Sequence, residues 1–252
     1  MPSELTQFEF NLLFILTIIL LIIKFALILF ISYKLYERKK DKGEFSYGFI
    51  FGVLILMITL FVSRILYMIF DFFYTRFDSS TYHLMPNIIF WKIATFINNF
   101  GYAYFIFIID LKILKFKLRG SIAYIIIVIT LVQLLYPVST IQDFHIISTL
   151  DLFLNALAII IPIFFFFMGH VSSPYQKPSL AIAFGVILYA IGSNINVEIF
   201  LTLLESVIGV EIRVIMIILS LIFKVLGLIL FSSGVMNFAF RFSKEYPKKS
   251  KY

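Results

Sequence analysis

Eight ionisable side chains stand inside stretches otherwise built for hydrocarbon: the bases Lys24, Arg64, Lys92 and Lys224 and the acids Asp71, Asp110, Asp151 and Glu198. A charge at the centre of a bilayer costs about 2.5–3.5 kcal/mol even on the lenient insertion scale, so each needs a partner, water or a ligand. Their spacing groups them. Arg64 and Asp71 share one helical stripe with Tyr67 and Met68 between them, and Lys92 has Asn99 two turns along its face with Asn98 beside it. Asp151 stands one turn from Asn155, Asn194 one turn from Glu198, and Lys224 one turn from Ser220. Arg64, Lys92 and Lys224 are offset by Asp71, Asp151 and Glu198, so the set is neutral. Its chemistry is that of a polar ligand or ion pocket, or of interhelical ties that fix the packing of a bundle. Lys24 is assigned a structural role, snorkelling or reaching Asp110.

Catalytic chemistry finds no comparable support. His83, His145 and His170 are scattered at the ends of the apolar stretches, and the chain has no cysteine, which removes thiolate metal sites, cysteine nucleophiles and disulfides. No glycine-rich phosphate loop, GxSxG or HExxH is present. Neither an enzyme nor a metal centre is expected.

The elements that must carry these residues follow from composition. The chain is 62% hydrophobic, far above the globular range of roughly 45–50%, and its mean hydropathy is +1.03. Seven runs reach the length of about 20 residues needed to cross hydrocarbon: 9–33, 47–73, 87–111, 120–138, 145–169, 179–203 and 212–239. Runs this long without turn signals are helices, because a lipid-embedded backbone must satisfy its own N–H and C=O groups. The expectation is an all-α fold, one transmembrane domain over 1–252 with seven spans and a basic tail at 240–252. The first run is longer than a signal-peptide core and is read as a retained span. Tyr33, Tyr36 and Tyr74 fall near span ends, as an interfacial belt would place them, and Trp91 is assigned to the same belt. Pro162 is expected to bend the fifth helix. Ala181-x-x-x-Gly185, continuing to Gly192, and the pair Gly227 and Gly234 predict close helix approach.

Basic residues alternate by gap. Fifteen lie in the first, third and fifth gaps and the tail, among them Lys34, Lys39, Lys112, Lys117, Lys177, Arg241 and Lys249, against only Arg76 and Arg213 in the others. The positive-inside bias then places the N-terminus outside and the C-terminus in the cytoplasm. The net charge of +7 reads as topology and attraction to lipid headgroups, not as nucleic-acid binding. On this orientation Arg64, Lys92, Asn99, Asp151, Asn155, Asn194, Glu198 and Lys224 lie towards the outer half of the bilayer, with Asp71 near the outer end of the second span.

A lysine midway along the last span, followed by Val225-Leu226-Gly227-Leu228-Ile229-Leu230, resembles the Schiff-base lysine segment of microbial rhodopsins. That resemblance implies retinal at Lys224. The chain departs from the pattern where Ser220 replaces the usual acid, where the third span lacks a mid-membrane carboxylate, and where Trp91 is the only tryptophan. No cofactor is therefore expected.

The leading expectation is a receptor-like or sensor-like multi-pass protein of the plasma membrane, binding a small or lipidic ligand in an outward polar pocket. A cytoplasmic or membrane signalling partner would dock on the basic loops. A transporter or ion-conducting protein and a structural membrane subunit are the alternatives, and few polar residues in the inner half argue against a continuous path. Because the native chain has no cysteine, single cysteines report sidedness cleanly. An impermeant thiol reagent applied to intact cells should label Ser80→Cys and leave Lys117→Cys unlabelled until the membrane is opened; the reverse pattern inverts the orientation.

Overall fold

A computed structural model describes residues 6–42, 48–157, 159–171, 173–195, 204, 206–209 and 212–245. The described residues form helices and connecting turns, with no strand among them. In chain order these are α1 Gln7–Lys42, α2 Phe49–Met68, α3 Asn87–Lys112, α4 Ser121–Leu135, α5 Ile141–Leu157, α6 Ile160–Val171, α7 Gln176–Asn194 and α8 Ile212–Glu245. One π-helical turn, Ile69–Tyr74, prolongs α2. The segments Gln7–Glu37, Phe49–Tyr74, Asn87–Lys112 and Ile215–Phe238 are each long and apolar enough to cross a membrane. The chain thus has the helices of a membrane protein. Ser121–Leu135 and Ile160–His170 are shorter apolar helices.

Helix starts are set by local chemistry. At α1 the Glu9 carboxylate accepts from the Thr6 N–H at 2.8 Å while the Glu9 N–H donates to Thr6 Oγ1 at 3.3 Å. At α5 the Asp143 carboxylate accepts from the Ser139 and Thr140 N–H groups at 3.0 and 2.8 Å, and the Asp143 N–H donates to Thr140 Oγ1. Both are capping boxes that satisfy first-turn amides reciprocally. Within the run at 145–169, α5 ends at Leu157 and α6 begins at Ile160, and the expected bend falls on a residue outside the described ones. Pro162 lies in the first turn of α6, where its missing N–H costs nothing.

Two compact units emerge, Met1–Ala158 with α1 to α5 and Ile159–Tyr252 with α6 to α8. In the first, successive helices pack as neighbours, α1 on α2, α2 on α3, α3 on α4 and α4 on α5. One end of this unit is sealed by Phe70, Ile88, Trp91, Phe144 and Ile147, with Tyr82 packed against them. Trp91 is 8% exposed and edge-on to Phe144, so it is a core residue and not part of an interfacial belt. Tyr33, Tyr36 and Tyr74 are exposed as a belt requires.

At the opposite end the buried Asp110 organises the connection to α4. Its carboxylate accepts from the Leu118 N–H at 3.0 Å and the Gly120 N–H at 2.7 Å, and its carbonyl accepts from the Phe116 N–H at 2.8 Å. Lys24, 2% exposed, instead donates to the Leu60 carbonyl at 3.1 Å. This bond to a backbone carbonyl of α2 is the kind of contact a structural role for Lys24 calls for.

The second unit is organised by backbone contact between antiparallel α7 and α8. A Cβ on Gly185 would stand 2.5 Å from the Phe231 nitrogen and 2.8 Å from the Gly227 carbonyl oxygen; one on Gly227 would stand 2.6 Å from the Tyr189 nitrogen. Ser220 Oγ donates to the Gly192 carbonyl at 2.6 Å along the same seam. This is the close approach that the small-residue spacing predicts. Gly185→Leu should destabilise the protein by about 1–3 kcal/mol or more through overpacking, read as a lowered melting temperature in detergent, whereas Ala190→Leu on the exposed face of α7 should be near neutral.

Candidate functional site

Polar side chains from all five helices of the first unit meet in its interior. Arg64, near the end of α2, donates through Nη2 to Thr17 Oγ1 of α1 at 2.9 Å. Its Nη1 lies 3.7 Å from Asp71 Oδ2, so the stripe predicted for Arg64 and Asp71 becomes an ion pair. That pair is loose. The distance exceeds a hydrogen bond, the two side chains are 30% and 20% exposed, and Arg64 Nε is buried with no hydrogen-bond partner. Asp71 sits in the π turn, which Thr75 closes by donating from both its N–H and its Oγ1 to the Phe70 carbonyl at 3.0 and 2.9 Å. Single π turns inside α-helices frequently mark functional sites.

One layer further, α3 contributes Thr95, Asn98 and Asn99. Tyr67 OH and Thr95 Oγ1 are 2.7 Å apart. Ser63 Oγ stands 3.5 Å from Asn98 Oδ1, Asn98 Nδ2 lies 3.4 Å from Asn99 Oδ1, and Asn99 Nδ2 donates to Asp151 Oδ1 of α5 at 3.2 Å. Gln133 of α4 donates from Nε2 to the carbonyl of Ile147, one turn before Asp151 on α5, at 2.9 Å. Tyr67 lies within electrostatic reach of Asp151, Asp71 and Arg64, which joins the two layers.

Lys92 has a different task. Its Nζ donates to the carbonyl of Tyr136, the residue that ends α4, at 2.5 Å. A cation at a helix C-terminus answers both the unpaired carbonyl and the negative end of the helix dipole. The charge balance expected from sequence set Lys92 against an acid, and its partner is instead a backbone oxygen. In the second unit, Asn194 is exposed and its Nδ2 donates to the Ala190 carbonyl of its own helix at 2.8 Å. Lys224 is part-buried on α8, its backbone nitrogen 2.9 Å from the position a Gly192 Cβ would take. Glu198 and the Asn155 side chain lie outside the described residues. Of the nine site residues read from sequence, Arg64 and Asp71 meet, as do Asn99 and Asp151.

Thr17, Ser63, Thr95 and Gln133 are members of the network that sequence reasoning passed over. Each is buried. Hydroxyl and amide side chains barely disturb a hydropathy profile, so no signal of composition marks them; the spacing Ser63, Tyr67 and then Asp71, four residues at each step along one face, is the trace available. Among the described residues no group of three or more His, Cys, Asp or Glu side chains could hold a metal ion.

No protein-family model, curated protein or solved structure matches the chain. The arrangement in hand is therefore the ground for function: a helical membrane protein whose first unit buries a polar network spanning α1 to α5.

Lys92→Met keeps the aliphatic stem but strips the cation from the Tyr136 carbonyl. The loss should be about 1.5–3 kcal/mol, the range for a hydrogen bond to a charged group, measured by denaturation in detergent and largely restored by Lys92→Arg.

Proposed function

We propose that this chain is a receptor-like or sensor-like multi-pass membrane protein, with its N-terminus outside, that takes a small or lipidic ligand into the polar interior of its first unit. The loose Arg64–Asp71 pair carries the reading. A pair retained only as a tie in hydrocarbon gains most from a close, fully bonded geometry, because each unmet donor in a low-dielectric setting is expensive. Here a guanidinium nitrogen is buried without a partner, and both side chains keep some exposure beside the π turn. An anionic or carbonyl-bearing ligand group fits the unmet valence of Arg64, with Asp71 available to release it. Asn99 and Asp151 extend the polar lining deeper.

With seven spans and an outward N-terminus, the basic residues at 112–119 and in the tail face the cytoplasm, where a signalling partner would dock. Lys112, Lys115, Lys117 and Arg119 are exposed on a connection held in one shape by Asp110.

Water or ligand access is the testable content. Ser63→Cys is close to isosteric and lies on the network between Arg64 and Asn98. In intact cells it should react with a small impermeant thiol reagent from outside, and a ligand seated at Arg64 should slow that reaction. A Ser63→Cys protein that is folded yet inert, from either side, would mean a sealed set of ties and favour a structural subunit.

A further inference from the structure

Asp151 takes one side-chain amide and, among the described residues, pairs with no base. Asn99 turns Nδ2 towards Asp151 Oδ1 at 3.2 Å, and Gln133 Nε2 holds the carbonyl of Ile147, one turn before Asp151 on α5, at 2.9 Å. Asn99 thus offers an N–H group to Asp151, which suits an ionised, acceptor-only carboxylate. On the same Gln133 amide, Oε1 is buried with no hydrogen-bond partner in a side chain only 2% exposed.

The unit's neighbouring bases are committed elsewhere. Arg64 is shared between Thr17 and Asp71, and Lys92 serves the Tyr136 carbonyl. Among the described residues no ion pair joins Asp151 to a Lys or Arg. A carboxylate with an amide donor but no counter-charge, one turn along α5 from the carbonyl that Gln133 holds, together with the orphaned oxygen of that amide, calls for a cation. One carboxylate among neutral oxygens suits a single positive charge, whereas Mg2+ and Ca2+ sites draw on more oxygen ligands and usually on further carboxylates. Asp71, the other acid in this interior, already faces Arg64.

We propose that the first unit binds a monovalent cation of the size of Na+ at Asp151, with Gln133 Oε1 as a second oxygen ligand. This ion couples the α3, α4 and α5 contacts of the polar interior, and so regulates the same site that the ligand enters. The inference rests on the reading that Asp151 belongs to a solute-binding site and not to a sealed tie.

The test is thermal unfolding of the purified full chain in detergent, in NaCl against choline chloride at equal ionic strength, repeated from pH 5.5 to 8. NaCl should raise the melting temperature by roughly 3–5 °C for each tenfold increase above the dissociation constant, and choline should not. Asp151→Asn should abolish the Na+ response. Should that variant fail to fold, Gln133→Leu, which keeps the carboxylate but removes the orphaned oxygen, should lose most of it. Identical curves in the two salts overturn the proposal. So does a Na+ response that survives Asp151→Asn, or a response to pH alone, which would make a proton the neutralising group; Tyr67, Asp71, Arg64 and Lys92 are the other titratable groups of this interior. A Na+ response together with an inert Ser63→Cys keeps the ion and sinks the open pocket, while a reactive Ser63→Cys without a Na+ response does the reverse.

Discussion

A charged group held among hydrocarbon has no bulk water to fall back on, so its partner must come from the protein or from something the protein binds. Most of the first unit can be read as answers to that constraint. Lys24 is met by a carbonyl of α2, Lys92 by the carbonyl that ends α4, and Asp110 by two amides of the connection it folds. In each case the charge is matched by backbone dipoles at a place where the helix ladder leaves them unused or where an oxygen has capacity to spare. These residues place helices relative to one another and shape turns.

Arg64, Asp71 and Asp151 are answered less completely, and the contrast makes them the functional candidates. The guanidinium is split between a hydroxyl and a carboxylate beyond hydrogen-bond distance, and it retains an unmet nitrogen. Asp151 takes one side-chain amide and, among the described residues, no base, whereas Asp110 is held by two backbone amides. Since the same unit satisfies Lys24, Lys92 and Asp110 fully enough, incomplete satisfaction at these positions is not a general looseness of packing. For Arg64 and Asp71 it falls at a π turn, in the interior to which α1, α2, α3, α4 and α5 each contribute a polar side chain.

The second unit answers the bilayer differently. Where the driving force of apolar burial is absent between helices, backbones gain by approaching closely, and Gly185 and Gly227 leave no room for a side chain between α7 and α8. Ser220 adds a hydroxyl-to-carbonyl bond on that seam. The Ser at this position is thereby accounted for by packing, a use unrelated to the acid that rhodopsins carry there.

The amino-acid sequence by itself determined the helical membrane character, the Arg64–Asp71 stripe and the glycine seam, because each depends on properties read along one chain direction: hydropathy over about 20 residues, a seven-residue repeat, and residue size. Tertiary structure alone decided which charges pair. Lys92 could not be assigned to Tyr136 from spacing, since its partner is a backbone atom forty-four residues away on another helix, and Trp91 could not be placed in the core until Phe144 was found against it. Thr17, Ser63, Thr95 and Gln133 entered the network for the same reason. Polarity inside a membrane is expensive enough to be seen in a sequence, but the identity of the partner depends on which helices are neighbours, and that is settled by packing between segments and not by periodicity within one.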